Sequence, residues 1–355
     1  MAGGGGTRLW PVSRKERPKQ LLPLIGQETL FQTTVARLEN LFDPQNILVV
    51  TVEEQAQEMR QQVPSIPVDN FIIEPLPRGT ASVVGLAAMV LLKRDPEAVM
   101  AVLPSDHFIR NKDLFHYLIR AAFDAAGNGY LVTLGITPSH PSTAYGYIQQ
   151  GNPISEGYKY PIYDVRSFRE KPDEETAQKL LRAGNYSWNS GMFIWRADVV
   201  LNEIEEQMPH LSNALTAIGT DWGTTRQMDV LNEQWKSLKI VTIDYGVMEK
   251  AAKVAVMPAG GLGWSDVGSW ESLFEVLLPD MSGNITANNG RLLAHDTNNT
   301  LVYGSDEDRL IVTIGVDDTI IVDTRDVLLV CKSDQSQKVR EVVEHLKKHR
   351  QEKYL

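Results

Sequence analysis

The sequence predicts an α/β domain built on a mixed, mainly parallel sheet with flanking helices, followed by a small all-β unit and a terminal helix. Two observations carry this. From about residue 20 to 136, short β-branched runs alternate with segments of helical period, the pattern of βαβ units. Beyond a stretch rich in turn formers at 279–290, strand-like runs recur at a step of roughly nine residues.

The first strands are expected at 46–52, 71–74, 99–103 and 130–136. Between them, Leu30, Phe31, Thr34, Val35, Leu38 and Leu41 form one helical stripe, and Phe115, Leu118, Ile119, Ala122 and Phe123 form another. Strands near 147–150, 162–169 and 191–195, with helices near 173–183 and 198–207, follow a looser pattern that suits the substrate side of an α/β site. The stretch 279–290 reads as a linker, dividing a domain 1–280 from a domain 281–355. Short strands at 300–303, 310–314, 319–322 and 327–331 suggest a small β-solenoid or sandwich. A helix near 334–350 places Val339, Val342, Val343 and Leu346 on one face and its basic residues at the favourable C-terminal end. So few strands bury little alone, so this unit should pack on the main domain or on a second subunit.

With 355 residues and 43% hydrophobic content, the chain can bury one large core and a smaller one. A net charge of −10 argues against nucleic-acid partners, whose binding surfaces are normally basic. The single cysteine, Cys331, excludes an intramolecular disulfide and a cysteine-based zinc site. The longest apolar stretch, 81–92, is too short to span a bilayer, and the first dozen residues lack the apolar core of a signal peptide. A soluble cytoplasmic protein with no membrane partner is expected.

Gly3, Gly4, Gly5 and Gly6 precede Thr7 and Arg8, and Arg14, Lys15, Arg17 and Lys19 follow. Residues without a Cβ can aim consecutive N–H groups at an anion while neighbouring cations supply full charge, so the stretch reads as a phosphate loop, with a flexible N-terminal tail as the alternative that the cations weigh against. It is neither a P-loop, which needs Gly-Lys-Ser/Thr, nor a dinucleotide fingerprint, since Arg8 stands where Gly or Ala is required. Such a loop should follow a buried strand, yet only Met1 and Ala2 precede it. Either the first strand is truncated or the sheet has an empty lane.

Ser105 and Asp106 end an apolar run, which makes Asp106 a candidate Mg²⁺ ligand or else a helix N-cap. His107 has no second His or Cys at ligand spacing, so a local hydrogen bond is the better reading. Asp266 lies between Gly263 and Gly268, with Trp264 and Trp270 able to exclude water; a turn at a helix start is the alternative. Glu170 and Lys171 sit at a strand end before Pro172 and form either a ligand pair or a solvated ion pair. Asn189, near Gly191, offers an amide suited to a vicinal diol. Tyr145 and Gly146 either line the same cleft or pack a strand. Glu74 ends a strand, and Arg78, Thr80 and Ala81 open a helix whose N-terminus suits an anion or a base edge, or ordinary capping.

Taken in order, GGGGTRLWP, RPKQ, EPLPRGTA, LPSDH, STAYGYI, FREKP, WNSGMF, IDYGVMEK and GWSDVGSW resemble the nucleotide-sugar pyrophosphorylases, and within them the mannose-1-phosphate guanylyltransferases. The resemblance spans nearly the whole chain. It implies a Rossmann-like catalytic domain, a small left-handed β-helix-type domain and a homodimer. The implied reaction is Mg²⁺-assisted transfer of GMP from GTP to mannose 1-phosphate, giving GDP-mannose and pyrophosphate. A sister enzyme for another hexose 1-phosphate, using UTP or dTTP, and a non-catalytic sugar-nucleotide-binding regulator are the alternatives. The nucleophile is already an anion, so the need is charge neutralisation and positioning rather than a general base. By resemblance, Gly3 to Gly6, Thr7 and Arg8 hold the triphosphate and Lys19 the α-phosphate. Glu74, Arg78, Thr80, Ala81 and Ser105 complete the nucleotide site, and Asp106 and Asp266 hold Mg²⁺. Lys171 binds the sugar phosphate, and Tyr145, Gly146, Glu170, Asn189 and Gly191 the hexose, with Asp244 and Glu249 behind them. Two residues depart from the family pattern: Gly79 replaces Asn, expected to loosen base recognition, and Ala144 replaces Gly, expected to crowd the sugar.

Overall fold

The computed structural model describes residues 7–154, 157–305 and 308–355; the glycines Gly3 to Gly6 lie outside the described residues. The apolar runs of the first third become β1 (Val49–Thr51) and β2 (Phe71–Ile73), a parallel pair with Val49 opposite Phe71. Around them lie α1 (Leu30–Ala36), α2 (Glu53–Gln62) and α3 (Thr80–Arg94). A capping box starts α1, in which Thr29 Oγ1 accepts from Gln32 N and Gln32 Oε1 accepts from Thr29 N. In α3 every residue from Ala81 to Val90 is buried, because the helix is covered by further helices as well as by strands.

The chain continues through β3 (Val99–Val102), β4 (Phe108–Ile109), α4 (Lys112–Gly127), β5 (Leu131–Ile136), β6 (Tyr147–Pro153) and β7 (Tyr163–Arg169). Then come α5 (Glu174–Ala183), β8 (Tyr186–Arg196), α6 (Ala197–Gln207), α7 (Pro209–Asp221) and α8 (Gln227–Ser237). The catalytic-size unit ends with β9 (Val254–Pro258), β10 (Trp264–Ser265) and the short α9 (Leu273–Val276). Six strands form one mixed sheet in the order β3-β8-β5-β9-β7-β6. Within it only β5 and β9 run parallel, and the other pairings are antiparallel, which corrects the expectation of a mainly parallel sheet. The cause is β8. This 11-residue strand runs back between β3 and β5, and the β6–β7 hairpin follows the same antiparallel logic, so no helical crossover is needed.

Among the described residues no strand joins β1 to β3. A slot of about 530 Å³ lies between them, lined by Val50, Val84, Met100 and Val102 with Ser105 at one end.

The C-terminal strands are β11 (Ile285–Asn288), β12 (Arg291–His295), β13 (Leu301–Gly304), β14 (Leu310–Ile314), β15 (Thr319–Asp323) and β16 (Leu328–Lys332). Strands β11, β13 and β15 stack in parallel, as do β12 and β14, so the chain coils as a β-helix rather than a sandwich. Antiparallel β16 closes the stack. The stretch 279–290 is thus more than a linker. It carries the first rung, with Ile285 and Ala287 buried among turn formers that mark its corners.

The terminal helix α10 (Val339–Lys348) buries Val339, Val343 and Leu346. These join Leu301, Tyr303, Ile320 and Val322 of the coil in one core with Leu9, Trp10, Leu22, Trp270 and Leu273. Packing on the main domain is therefore realised. Trp270 Nε1 donates to Trp10 O at 2.9 Å, and Trp10 Nε1 donates to Tyr354 O at 2.6 Å. The segment leaving the glycine loop is clamped between the two units.

Candidate active site

Asp106 and Asp266 are far apart in sequence, yet a two-residue ladder brings them together. Strands β4 and β10 pair antiparallel, Ser265 opposite Phe108 and Trp264 opposite Ile109. The residue just beyond each end of this ladder, His107 and Asp266, then faces the same cavity of about 190 Å³, lined by Arg8, Leu9, Lys19, Gln20, Asp106, His107, Asp266 and Gly268. Two short helical turns, Thr7–Leu9 and Lys19–Leu21, close the other side.

Lys19 holds the cavity together. Its Nζ lies 2.8 Å from Asp106 Oδ2 and donates to Asp266 O at 2.6 Å. Burial pushes the Asp106 carboxyl up, but the charge and hydrogen bond of Lys19, together with neighbouring positive charge, hold the group below its ordinary value. Asp106 is not a helix cap: α4 is capped by Asn111, whose Oδ1 accepts from Leu114 N at 3.0 Å. Asp266 Oδ1 accepts from Tyr145 OH at 2.8 Å and from Gly268 N at 3.2 Å, and Oδ2 has no partner among the described residues. The turn reading of Asp266 is therefore half right, since its side chain does cap a turn. Val267 beside it has φ +47°, a conformation costly for a β-branched residue and typical of functional loops. Burial and the Asp266 charge push the Tyr145 hydroxyl far up, so it stays a donor. His107 has the local hydrogen bond expected of it, with Nδ1 accepting from Trp264 Nε1 at 3.1 Å. Burial lowers its pKa to about 4, so the ring is neutral.

Among the described residues no three metal-binding side chains cluster. Two carboxylates on one small cavity still suit Mg²⁺, which takes one or two protein oxygens and completes its shell with phosphate and water.

A second cluster adjoins the first. A Cβ on Gly146 would collide with Glu170 Oε2, so only glycine lets the carboxylate come this close. Asn189 N donates to Gly146 O at 2.8 Å, and Asn189 Nδ2 donates to Asp244 Oδ1 at 2.6 Å. Gly191 N donates to Asn189 Oδ1 at 3.1 Å, fixing the amide's orientation. Burial, and then the Glu170 charge, raise both Asp244 and Glu249, so these two belong to the same acidic group. Lys171 Nζ sits 3.1 Å from Glu170 Oε1 and is largely exposed, free to swing. Tyr145 and Gly146 are consecutive, one on Asp266 and the next against Glu170, so one backbone segment joins the clusters.

Other predicted residues lie elsewhere. Glu74, Arg78, Thr80 and Ala81 do not line the cavity. Arg78 donates to Trp235 O at 3.1 Å and Lys236 O at 2.7 Å, Thr80 Oγ1 accepts from Ile243 N at 2.9 Å, and Ala81 N donates to Val241 O at 3.2 Å. The segment 241–243 thus takes the place expected for a ligand at this helix start. Glu74 differs, for it is buried with Oε2 unpartnered, and burial raises its carboxyl to about 7. Ser105 lines the apolar slot, not the cavity. Ala144 is exposed, in the loop that carries Tyr145 and Gly146. Gly79 has φ +83°, and any Cβ there would strike Val241 O, so glycine is a packing requirement here. The cavity residue Gln20 and the hydrogen-bonding role of Trp264 were not foreseen. Gln20 adjoins Lys19 and carried no charge to mark it.

The model of the Nucleotidyl transferase family matches residues 1–282, and that of the MannoseP isomerase/GMP-like beta-helix domain matches residues 290–346. Mannose-1-phosphate guanylyltransferase 2 of Escherichia coli O157:H7 is 38% identical over 365 aligned positions, covering 100% of this chain and 74% of that protein. Mannose-1-phosphate guanylyltransferase of Klebsiella pneumoniae is also 38% identical, over 363 positions, with 100% and 74% covered. The crystal structure of mannose-1-phosphate geranyltransferase from Thermus thermophilus superposes with a TM-score of 0.88 at 34% identity, covering 98% of each chain. With this fold, this pairing of domains and these relatives, the chain belongs to the nucleotidyl transferase family and, within it, to the mannose-1-phosphate guanylyltransferases.

Proposed function

We propose that the chain transfers GMP from GTP to mannose 1-phosphate, releasing pyrophosphate and forming GDP-mannose, with Mg²⁺ as the cation. The observation that supports this most is one ammonium, Lys19, held between Asp106 and Asp266 in a cavity that also takes Arg8. Attack by a phosphate oxygen on the α-phosphorus brings anions together, so the protein's task is to neutralise charge and align the groups in line. Arg8 and the glycine loop bind the β- and γ-phosphates, and Lys19 meets the charge that grows on the α-phosphate. Asp106 and Asp266 would hold Mg²⁺, which would supply electrostatic neutralisation of both substrates. Lys171 leaves Glu170 for the sugar phosphate, while Glu170 and Asn189 take the hexose hydroxyls.

Glu74 is the proposed reader of the base. Only guanine presents two adjacent donors, N1–H and N2–H₂, to one carboxylate, and Glu74 Oε2 is buried without a partner. The dependence on a nucleoside triphosphate places the activity in the cytoplasm. No helix among the described residues is long and apolar enough to cross a membrane. We divide the chain near residue 280 into a catalytic and a β-helix domain, and propose a homodimer through the exposed row Leu293, Leu310, Val312 and Ile314, which register places on one face of β12 and β14. Sedimentation of Val312→Asp as a monomer beside a dimeric parent checks this.

The deciding assay is pyrophosphate release with four nucleotides against several hexose 1-phosphates, with and without Mg²⁺. Preference for GTP with mannose 1-phosphate, dependent on the cation, is expected. Tight GTP or GDP-mannose binding with no pyrophosphate release would overturn catalysis, and a preference for UTP or dTTP with glucose 1-phosphate would overturn the substrate assignment.

A further inference from the structure

The proposed cation-binding carboxylates come from separate loops, and the cation needs them at a fixed separation. A single side chain touches the supports of both. The Trp264 indole N–H donates to His107 Nδ1 at 3.1 Å, with the rings perpendicular and 5.3 Å apart. An indole nitrogen can only donate, so His107 Nδ1 must carry the lone pair and the ring's one proton must sit on Nε2. That nitrogen lies 3.9 Å from Asp106 Oδ1, whereas Lys19 holds the other oxygen, Oδ2. At this distance the contact is electrostatic rather than a hydrogen bond. On its other side Trp264 meets the Tyr145 ring, again edge to face at 5.3 Å, and the Tyr145 hydroxyl donates to Asp266 Oδ1 at 2.8 Å.

We propose that Trp264 is a positioning residue that sets the separation of the two carboxylates, through His107 to Asp106 and through Tyr145 to Asp266. The proposal rests on the reading of Asp106 and Asp266 as the cation pair. Its chemistry differs from that of Lys19. The Tyr145 hydroxyl and the His107 ring are both neutral, so they orient the carboxylates and leave their full negative charge for the cation. Trp264 is also half of the β4–β10 ladder, two residues before Asp266 and opposite Ile109, which lies two beyond His107. The backbone sets the approach, and the side chain sets its fine spacing.

The test uses the full chain with GTP and Mn²⁺ as the probe cation, read by electron paramagnetic resonance, beside metal-free GTP binding and thermal unfolding. Trp264→Phe keeps a ring but removes the N–H, and Tyr145→Phe removes only the hydroxyl. Each should weaken Mn²⁺ binding by about tenfold, the low end for losing a partner that orients a metal ligand, with metal-free GTP affinity and melting temperature unchanged. In a His107→Ala background, Trp264→Phe should add less than half of its own effect, because part of its path is already cut. Mn²⁺ binding by Trp264→Phe equal to that of the parent overturns the proposal, as does a parallel loss of metal-free GTP affinity, which marks a general packing defect. A parent chain that binds no Mn²⁺ beside GTP overturns the cation reading itself, and the proposal with it.

Discussion

Replacing Glu74 by glutamine tests whether its burial has the energetic weight the structure gives it. The carboxyl ends β2 with Oε2 out of contact with water and partners, and burial lifts its pKa from 4.5 to about 7. The native state therefore keeps a proton that the unfolded chain releases, so the stabilisation is complete below pH 4.5 and is lost as pH rises through 7. A difference of about 2.5 pKa units corresponds to about 3 kcal/mol in full. Most of it, about 2.5 kcal/mol, falls between pH 5 and pH 8. The glutamine side chain would carry the shape and donor capacity of the protonated acid at every pH. Urea unfolding followed by tryptophan fluorescence at pH 5, 6, 7 and 8 should then show Glu74→Gln gaining on its parent by that amount. The same titration governs the proposed base contact, because only the ionised carboxylate accepts from both guanine donors. At pH 6 about a tenth of Glu74 is ionised, so GTP affinity of the parent should fall about tenfold relative to its value well above pH 7, and that of Glu74→Gln should not. Parallel stability profiles, within about 0.5 kcal/mol across the range, would refute the burial argument. A pH-dependent stability with a pH-independent GTP affinity would leave Glu74 buried but remove it from base reading.

Three further outcomes follow from the same contacts. Lys19→Ala should lower pyrophosphate release by about 10²–10³-fold, the scale for losing one transition-state charge donor, and unchanged turnover would take Lys19 out of the mechanism. Asp106→Asn should abolish cation-dependent release while the far-ultraviolet circular dichroism and the melting transition persist; full activity without added metal would refute the cation assignment. Gly79→Ala must hold a Cβ at φ +83° against Val241 O, and should destabilise by about 2 kcal/mol in urea, more than any surface substitution on the exposed side of α5.

Element order was legible because helix and strand periods are local. The stripe Phe115, Leu118, Ile119, Ala122 is buried in α4, and the strands predicted at 99–103 and 130–136 are β3 and β5 within a residue or so. Strand direction was not legible. Nothing in the residues of β8 says that it returns between β3 and β5, since direction depends on which edges remain unpaired after collapse. The first rung, β11, hid among turn formers because a β-helix places a corner every few residues. In the site, the family resemblance rather than residue type put Asp106, Lys19 and Asp266 together, and all three line one cavity. At the helix start carrying Arg78, Thr80 and Ala81, the backbone carbonyl of Val241 meets the Ala81 N–H, a partner that nothing in the local residues announces.

The loop 142–147 explains how two clusters built from distant strands can act as one site. Tyr147, fully buried at the start of β6, takes Ser142 N on its hydroxyl at 2.9 Å, and Ser142 Oγ accepts from Ala144 N at 3.2 Å. The loop is thereby closed on itself before any ligand arrives. From this fixed base Tyr145 reaches outward to Asp266, against the Trp188 and Trp264 rings at 4.8 and 5.3 Å, while Gly146 turns the chain onto Glu170 and Asn189. Asp266 and Glu170, the proposed phosphate-side and hexose-side carboxylates, are thereby tied to consecutive residues of one segment. In-line transfer depends on such spacing, since an error of about 1 Å costs about 10²-fold in rate. Gly146 cannot acquire a side chain without displacing the Glu170 carboxylate, so the short reach between the halves and the absence of a Cβ at this position are one requirement.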